Sequence, residues 1–177
     1  MIGSPRPEGA MDSQELKAIQ KPLKSTYREA PDAALVTLAA SGDLDDTHVS
    51  CSVQTGRALV EAGLHPATGG DGSLACSGDM LLEALVACAG VTLRSVAVNR
   101  GIPMRGGTIR AEGDLDFRGT LGVDAEAPVG FRAIRLTAEL DSDASDEQLD
   151  ELIALTERYC VVFQTLANTP ELSVARA

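Results

Sequence analysis

The chain has 177 residues, which is enough to bury a substantial core and is most consistent with one domain. Its composition is that of a globular protein, with 44% hydrophobic and 23% charged residues. The formal net charge of -11 repels phosphate, which argues against general nucleic-acid binding and against docking on anionic lipid.

The N-terminal region shows none of the basic-then-apolar pattern that is typical of a secretory signal peptide. The most apolar stretch, Met80 to Leu93, contains Glu83 and is followed by Arg94, which favours a buried helix in a soluble protein over a membrane span. Four cysteines in such a chain are expected to meet a reducing cytosol, where a functional disulfide is more often catalytic than structural. We therefore expect a cytoplasmic protein.

The beginning of the chain is expected to be an extension of the main domain. Residues 1–12 are rich in Pro and Gly and indicate a disordered arm, and 13–28 have helical composition with a kink or interruption at Pro22. We assign residues 1–30 to this N-terminal arm and helix, and 31–177 to the domain proper.

Short strands are predicted next. The candidates are apolar, partly β-branched and separated by glycine-containing connections, and they lie at 33–40, 48–55 and 57–62. The glycine-rich stretch 63–73 lacks the Gly-Lys-Ser/Thr ending of a phosphate-binding loop, so we interpret it as an ordinary loop.

The central helix is the most prominent element of the sequence. It is predicted to begin near Asp79, a good cap, and to end where Gly101 and Pro103 supply stop signals. Because it is apolar nearly all round, it needs partners on every side, which favours a homodimer.

Two strands with clean alternation are predicted after this helix. Inward-facing residues of the first are Ile109, Ala111, Leu115 and Phe117, and outward-facing ones are Arg110, Glu112, Asp114 and Asp116. Inward-facing residues of the second are Ile134, Leu136, Ala138 and Leu140. The pattern is typical of antiparallel strands covered on one face.

The last part of the chain is predicted to be mainly helical. Ser145 and Gln148 form a capping box that opens a helix, whose apolar stripe is Leu149, Leu152, Ile153, Thr156 and Cys160. A short apolar continuation ends at Pro170, and 171–174 could form a last strand. The order of elements indicates an α+β fold.

Two cysteines on predicted helices are the candidate reactive residues. Cys88 lies in the central helix and Cys160 at the end of the late one, and taken alone each is more often a small core residue. Cys160 lies where one helical pattern gives way to another, so a helix N-terminus there could favour its thiolate. Cys51 and Cys76 are interpreted as packing residues.

Three stretches together resemble the OsmC/Ohr family of thiol-dependent peroxidases, from about Ala33 to Val174. A buried helix carries "LLEALVACAG" and continues into "TLRSVAVNRGIPM", an alternating strand pair follows, and a late helix carries "ALTERYCVVFQTL". The resemblance implies an intertwined homodimer, with two long helices packed centrally and antiparallel sheets outside.

The resemblance also implies a mechanism. Cys88 matches the family's peroxidatic cysteine, which attacks a hydroperoxide and becomes a sulfenic acid, and Cys160 matches the resolving cysteine, which then forms a disulfide with it. An external dithiol closes the cycle. The apolar surroundings favour organic hydroperoxides over hydrogen peroxide. We expect no cofactor and no metal ion.

The sequence departs from the family at the groups that support the catalytic cysteine. The family's glutamate before the central helix is replaced by Gly78, with Asp79 and Glu83 as substitutes nearby, although both also fit structural roles. The early turn has no arginine, which leaves Arg57 and Arg28 as candidates, and Val161 stands where the family has proline after the second cysteine.

The missing arginine matters because a thiol with an ordinary pKa is only a few per cent ionised at neutral pH, and burial raises that pKa further. An alternative function is therefore a non-catalytic OsmC-like dimer that binds a small hydrophobic ligand or senses oxidant slowly. A metal site at His48, Cys51 and His65 is disfavoured, because strand residues three apart point to opposite faces.

Overall fold

The computed structural model describes residues 13–44, 51–53 and 62–176. Its helices are α1 (Ser13–Glu29), α2 (Ser77–Arg100), α3 (Phe117–Thr120), α4 (Asp146–Tyr159) and α5 (Val161–Ala167). Its strands are β1 (Leu35–Leu44), β2 (Cys51–Val53), β3 (Ala62–Gly63), β4 (Ala75–Cys76), β5 (Gly106–Asp116) and β6 (Ala133–Asp141). The mixture of helices with an antiparallel sheet confirms the α+β prediction.

The chain separates into two compact units. The first comprises Met1–Thr37, Val60–Cys76 and Asp114–Ala133, and the second comprises Leu38–Leu59, Ser77–Gly113 and Ile134–Ala177.

In the first unit, α1 packs on α3 and on two 3-10 turns. Tyr27 is buried and donates its hydroxyl to the Ala67 carbonyl at 2.6 Å. Helix α1 runs through Pro22 without the interruption that was one of the two predicted outcomes. Proline removes one N–H donor from the helix, and packing of the helix face within the unit offsets that loss.

The predicted loop 63–73 has little regular structure beyond the 3-10 turn Pro66–Thr68, which agrees with the sequence. His65 caps this turn, because its Nδ1 accepts from the Ala67 N–H at 3.0 Å, and its ring stacks on Phe117 with a centroid separation of 5.0 Å. His65 therefore has a structural role.

The second unit contains most of a four-stranded sheet of order β2-β1-β5-β6. Strands β1 and β2 are antiparallel, with Gly42 opposite Val53 and Leu44 opposite Cys51. At the end of β6, the Arg105 N–H that precedes β5 donates to the Asp141 carbonyl at 2.9 Å, so β5 and β6 also run in opposite directions.

The alternation predicted for these strands is confirmed for most residues. The inward set Ile109, Ala111, Leu115 and Phe117 is buried, and β6 alternates between exposed and half-buried positions as expected. The prediction for Asp116 was wrong, because this residue was expected to face outward and is fully buried. Its carboxylate accepts from Arg118 at 2.6 Å, which compensates the burial of its charge.

Helix α2 was predicted with nearly correct ends. It begins at Ser77, which places Asp79 in its first turn rather than at its cap, and a buried flank is formed by Leu82, Leu85, Val86, Ala89, Gly90, Leu93, Arg94 and Ala97. Arg94 does not interrupt this flank, because its guanidinium is buried and donates from Nη1 to the Met104 carbonyl at 3.0 Å.

By length and composition alone α2 could cross a membrane, and it is the single such helix in the described part of the chain. Core helices of soluble proteins meet the same criterion. The buried flank of α2 packs on α4 and α5, which is typical of a core helix.

The capping box predicted for α4 is present, with Ser145 accepting from the Gln148 N–H and the Gln148 side chain accepting from the Ser145 N–H. Of the predicted stripe, Leu152, Thr156 and Cys160 are buried, whereas Ile153 is partly exposed. The strand expected at 171–174 is not formed. The side chains of Leu172 and Val174 are exposed, so this stretch has no buried face.

Two other strand predictions fall largely outside the described residues. Of 48–55 only β2 is described, and of 57–62 only the start of β3. The first strand is described, but it begins at Leu35 because Pro31–Ala34 form a 3-10 turn with proline at its start.

Candidate functional site

The structure brings Cys88 and Cys160 together within the second unit. Cys88 is half-buried in the middle of α2, and Cys160 is fully buried between α4 and α5. Helix α2 packs on both of these helices, and the two thiols lie within hydrogen-bond reach of each other. The cysteines described with their side chains, Cys76, Cys88 and Cys160, are all free thiols.

Cys160 occupies the single residue that separates α4 from α5. Its N–H donates to the Thr156 carbonyl at 2.9 Å and ends α4, while its sulfur accepts from the Phe163 N–H at 3.5 Å and opens α5. Its backbone is extended, with φ of -71° and ψ of 110°. This break directs the first peptide groups of α5 toward α2.

The environment of Cys88 favours its thiolate. Burial raises the pKa of this thiol, but the N–H groups of Val162 and Val161, the Cys160 thiol and the Thr92 hydroxyl are hydrogen-bonded to it. These bonds outweigh burial, so the pKa of Cys88 is lower than that of an ordinary thiol.

The environment of Cys160 has the opposite effect. Burial has the largest effect and raises the pKa of Cys160 to about 11, against the lowering effect of the Phe163 N–H, and the hydrogen bond to Cys88 and its charge add to the increase. The expectation that the helix junction favours a thiolate at Cys160 is therefore wrong. The junction exists, but the hydrogen bonds from the Phe163 and Val162 N–H groups do not offset the burial of Cys160.

An apolar cavity of about 330 Å³ lies beside Cys160. Its walls come from α2, β5, β6, α4 and α5, and its lining includes Ala89, Leu93, Ile109, Leu136, Ile153 and Phe163. A space of this size and character suits the hydrocarbon part of a small organic molecule.

A second feature is a stripe of residues on α2 that the described chain leaves uncovered. Its members recur three and four residues apart, each exposed or half-buried, and are Leu81, Ala84, Cys88, Val91, Ser95 and Val98. A groove of about 500 Å³, lined in part by Val91, Thr92 and Tyr159, runs beside it. This spacing is typical of a helix that packs along another helix.

The residues considered as replacements for the family's glutamate and arginine do not all lie near Cys88. Glu83 is half-buried, and burial together with the charge of Asp79 raises its pKa. Five residues along a helix correspond to a rotation of about 140°, so Glu83 and Cys88 point in different directions. Arg28 is exposed in the last turn of α1, in the first unit, and Arg57 lies outside the described residues.

Sequence reasoning missed the donors around Cys88. Thr92 follows Cys88 by four residues, a spacing that puts both on one side of a helix, so it could have been found. The N–H groups of Val161 and Val162 carry no sequence signal, because every residue except proline has one.

Among the described residues, no group of three or more His, Cys, Asp or Glu side chains could hold a metal ion. His48 lies outside them, as does the side chain of Cys51. Cys76 is a half-buried residue of β4.

Comparison with known proteins gives a match to the family model described as OsmC-like protein, over residues 70–175. A search of curated proteins gives no match. The chain is similar to a crystal structure of an OsmC-like hydroperoxide resistance protein from Jannaschia sp. CCS1, with a TM-score of 0.57 and 14% identity. The alignment covers 78% of this chain and 91% of that one, and at this identity it shows the fold. The family match includes both Cys88 and Cys160.

Proposed function

Because the chain belongs to the OsmC-like family, we propose that it is a thiol-dependent peroxidase that reduces organic hydroperoxides through Cys88 and Cys160. The observation that carries this proposal is the pairing of two free thiols in hydrogen-bond reach, with the pKa of Cys88 lowered and that of Cys160 raised. Two titratable groups with opposite shifts are suited to different roles in one reaction.

In the first step, the Cys88 thiolate attacks the terminal oxygen of the hydroperoxide. The S–O bond forms as the O–O bond breaks, and the alkoxide leaves with a proton as an alcohol. Cys88 becomes a sulfenic acid and is oxidised by two electrons, while the peroxide is reduced by two.

In the second step, the Cys160 sulfur attacks the sulfenic sulfur of Cys88. The S–S bond forms as the S–O bond breaks, and hydroxide leaves with the proton of Cys160 as water. A dithiol reductant then exchanges with the disulfide, becomes a disulfide itself and returns both thiols. One hydroperoxide and one dithiol give an alcohol, water and an oxidised dithiol.

The raised pKa of Cys160 is compatible with this order of events. While Cys88 is reduced, the proton on Cys160 can be shared with the neighbouring sulfur and helps to hold its negative charge. Once Cys88 is a sulfenic acid, its charge is gone and Cys160 loses one of the causes that raise its pKa.

The substrate class follows from the apolar cavity beside Cys160. An alkyl or aryl group gains free energy by leaving water for this space, whereas hydrogen peroxide has no such group. Organic hydroperoxides are therefore the proposed substrates.

The proposed assembly is a homodimer that packs through the uncovered stripe of α2. Exposed apolar residues at heptad-like spacing favour a second helix of the same kind, and Cys88 lies on the stripe, so the partner would shield the reaction from water. We further propose a cytoplasmic location, with residues 1–30 as an extension and 31–177 as the OsmC-like domain.

A second candidate function is a non-catalytic dimer that binds a small hydrophobic ligand in the cavity or senses oxidant slowly. It is favoured by the surroundings of Cys88, since no guanidinium contributes to its ionisation in the described part of the chain.

The first experiment separates these functions. One equivalent of cumene hydroperoxide is added to wild type, Cys88→Ser and Cys160→Ser, and intact mass and free thiols are followed with time. The peroxidase loses two thiols rapidly, gives a trappable sulfenic acid in Cys160→Ser and does not react in Cys88→Ser. Slow oxidation that is indifferent to Cys88 would contradict the peroxidase and leave the ligand-binding dimer.

A further inference from the structure

Among the described residues that line the apolar cavity beside Cys160, Glu157 alone carries a charge. The lining is otherwise made of aliphatic and aromatic side chains, the Cys160 thiol and two threonines. One of these, Thr156, uses its hydroxyl within α4, where it donates to the Leu152 carbonyl at 2.8 Å. A ligand in the cavity therefore meets hydrocarbon on most sides and one carboxylate.

Glu157 lies where the cavity opens to solvent. It belongs to the last turn of α4, directly after Thr156, which is 4% exposed, whereas Glu157 itself is an exposed residue. Its carbonyl accepts from Gln164 Nε2 of α5 at 2.9 Å, so this turn is tied to the helix on the other side of Cys160. The position of Glu157 at the rim is thus fixed by the packing of α4 on α5.

The charge of Glu157 is not neutralised by a cation among the described residues. On the same side of the chain, Arg100 pairs with Glu151 at 3.3 Å, and the Arg158 guanidinium lies 5.4 Å from the centroid of the Tyr159 ring. The net charge of the whole chain, -11, has the same sign as that of Glu157. An anion that approaches the rim is therefore repelled.

We propose that Glu157 is a specificity-determining residue, which makes the cavity select uncharged organic hydroperoxides and exclude those that carry a carboxylate on the group held in the cavity. Two effects act against a carboxylate, because it leaves water for an apolar space and meets a like charge at the rim. The proposal deepens the proposed function and rests on it for the chemical step. The preference for uncharged molecules is also a property of binding and can be tested without oxidation.

The test uses two substrates of nearly equal shape that differ in charge, cumene hydroperoxide with a para-carboxamide and cumene hydroperoxide with a para-carboxylate. The second-order rate constant for oxidation of Cys88 is measured for each in single turnover, and each is corrected by its rate constant with a small free thiol. Wild type is expected to react about tenfold faster with the carboxamide.

Glu157→Gln removes the charge at constant size. It is expected to raise the rate constant for the carboxylate about fivefold and to leave that for the carboxamide unchanged, because charges a few ångströms apart near a surface interact on this scale. Glu157→Lys should raise the rate constant for the carboxylate further. Glu147→Gln is the matched control, since Glu147 lies in the first turn of α4, about 15 Å along the helix, where salt screens the charge.

Equal rate constants for the two hydroperoxides in wild type, or a ratio that Glu157→Gln leaves unchanged, would overturn the proposal. Failure of the peroxidase looks different, because neither hydroperoxide would then oxidise Cys88. In that case the two corresponding alcohols are titrated as ligands by NMR. Weaker binding of the carboxylate alcohol that Glu157→Gln relieves supports the proposed selection, and a preference that does not depend on Glu157 overturns it.

Discussion

At the scale of single residues, the two thiols differ because hydrogen bonds are divided unequally between them. Cys88 accepts from several donors. Cys160 accepts from the N–H groups of Phe163 and Val162 and gives its proton toward Cys88. Burial acts on both in the same direction. The geometry of two helix ends, rather than the identity of the residue, therefore decides which sulfur ionises first.

This division predicts an order of reactivity. With a pKa of about 11, Cys160 should be almost inert to iodoacetamide at pH 8, where Cys88 reacts, and should gain reactivity only as the pH approaches 11. Cys88→Ala removes the neighbouring charge and hydrogen bond that raise the pKa of Cys160, so its alkylation midpoint should fall. Site-resolved alkylation measures both, with Cys76→Ala as the control. A midpoint of Cys160 that is unaffected by Cys88→Ala would contradict the coupling.

At the scale of elements, the junction between β5 and α3 depends on a buried ion pair. Asp116 is 1% exposed in its side chain, ends β5 and caps α3 by accepting from the Arg118 N–H at 3.1 Å. The Arg118 guanidinium donates to both carboxylate oxygens and reaches Asp124 at 3.2 Å. The hydrogen bonds from Arg118 lower the pKa of Asp116 despite its burial. One carboxylate thus stabilises a strand end, a helix start and a half-buried cation.

Asp116→Asn leaves Arg118 without its main partner and is expected to lower the free energy of unfolding by about 3 kcal/mol at pH 7, measured in urea. Because folding lowers the pKa of Asp116, its contribution is complete above the ordinary carboxyl pKa of about 4 and is lost as the pH falls through the folded value. The difference between wild type and variant should therefore shrink below about pH 4.

Asp124→Asn is the matched control, since Asp124 is 37% exposed and bonded to the same guanidinium. This variant should lower the free energy of unfolding by at most about 1 kcal/mol. Equal decreases in the free energy of unfolding for the two variants would contradict the special role of Asp116.

At the scale of the whole molecule, α2 has two apolar flanks that differ in how far the rest of the chain covers them. One is covered within the chain by α4 and α5. The other is the uncovered stripe, whose members are exposed or half-buried and in which Cys88 is a half-buried residue whose sulfur lies beside Cys160. A single copy of the described chain leaves this second flank exposed, which is the physical reason to expect a second copy. Assembly and reactivity are then linked, because the same stripe carries the proposed nucleophile.

The proposed dimer predicts that a charge on the stripe separates the protomers. Val98 is 58% exposed on the stripe, and Val98→Lys should shift the mass measured by sedimentation velocity from dimer to monomer, because an ammonium group is costly to desolvate at an apolar interface. Val129 is 66% exposed and lies off the stripe, so Val129→Lys should leave the dimer intact. A Val98→Lys protein that remains dimeric would exclude this stripe as the interface.

The fold could be anticipated wherever a local pattern fixes an element. Three such predictions are confirmed nearly at the predicted ends. They are the start of α4 at the cap Ser145, the end of α2 before Gly101, and β5 with its alternation after Thr108. The outward orientation expected for Asp116 was wrong, because side-chain pairing with Arg118 makes its burial possible and strand alternation does not include such a pairing. The short strand expected at 171–174 had an apolar pattern, but Leu172 and Val174 are exposed in the structure.

The sequence by itself determined the element order, the family resemblance that the family match confirms, and the two candidate cysteines, because these depend on residue type and spacing along the chain. Only the tertiary structure decided that the thiols are neighbours and that the pKa of Cys88 is lowered while that of Cys160 is raised, although N–H groups of α5 act on both sulfurs. Main-chain donors are the same in every residue but proline, so their direction is set by how helices pack and cannot be read from side-chain identity.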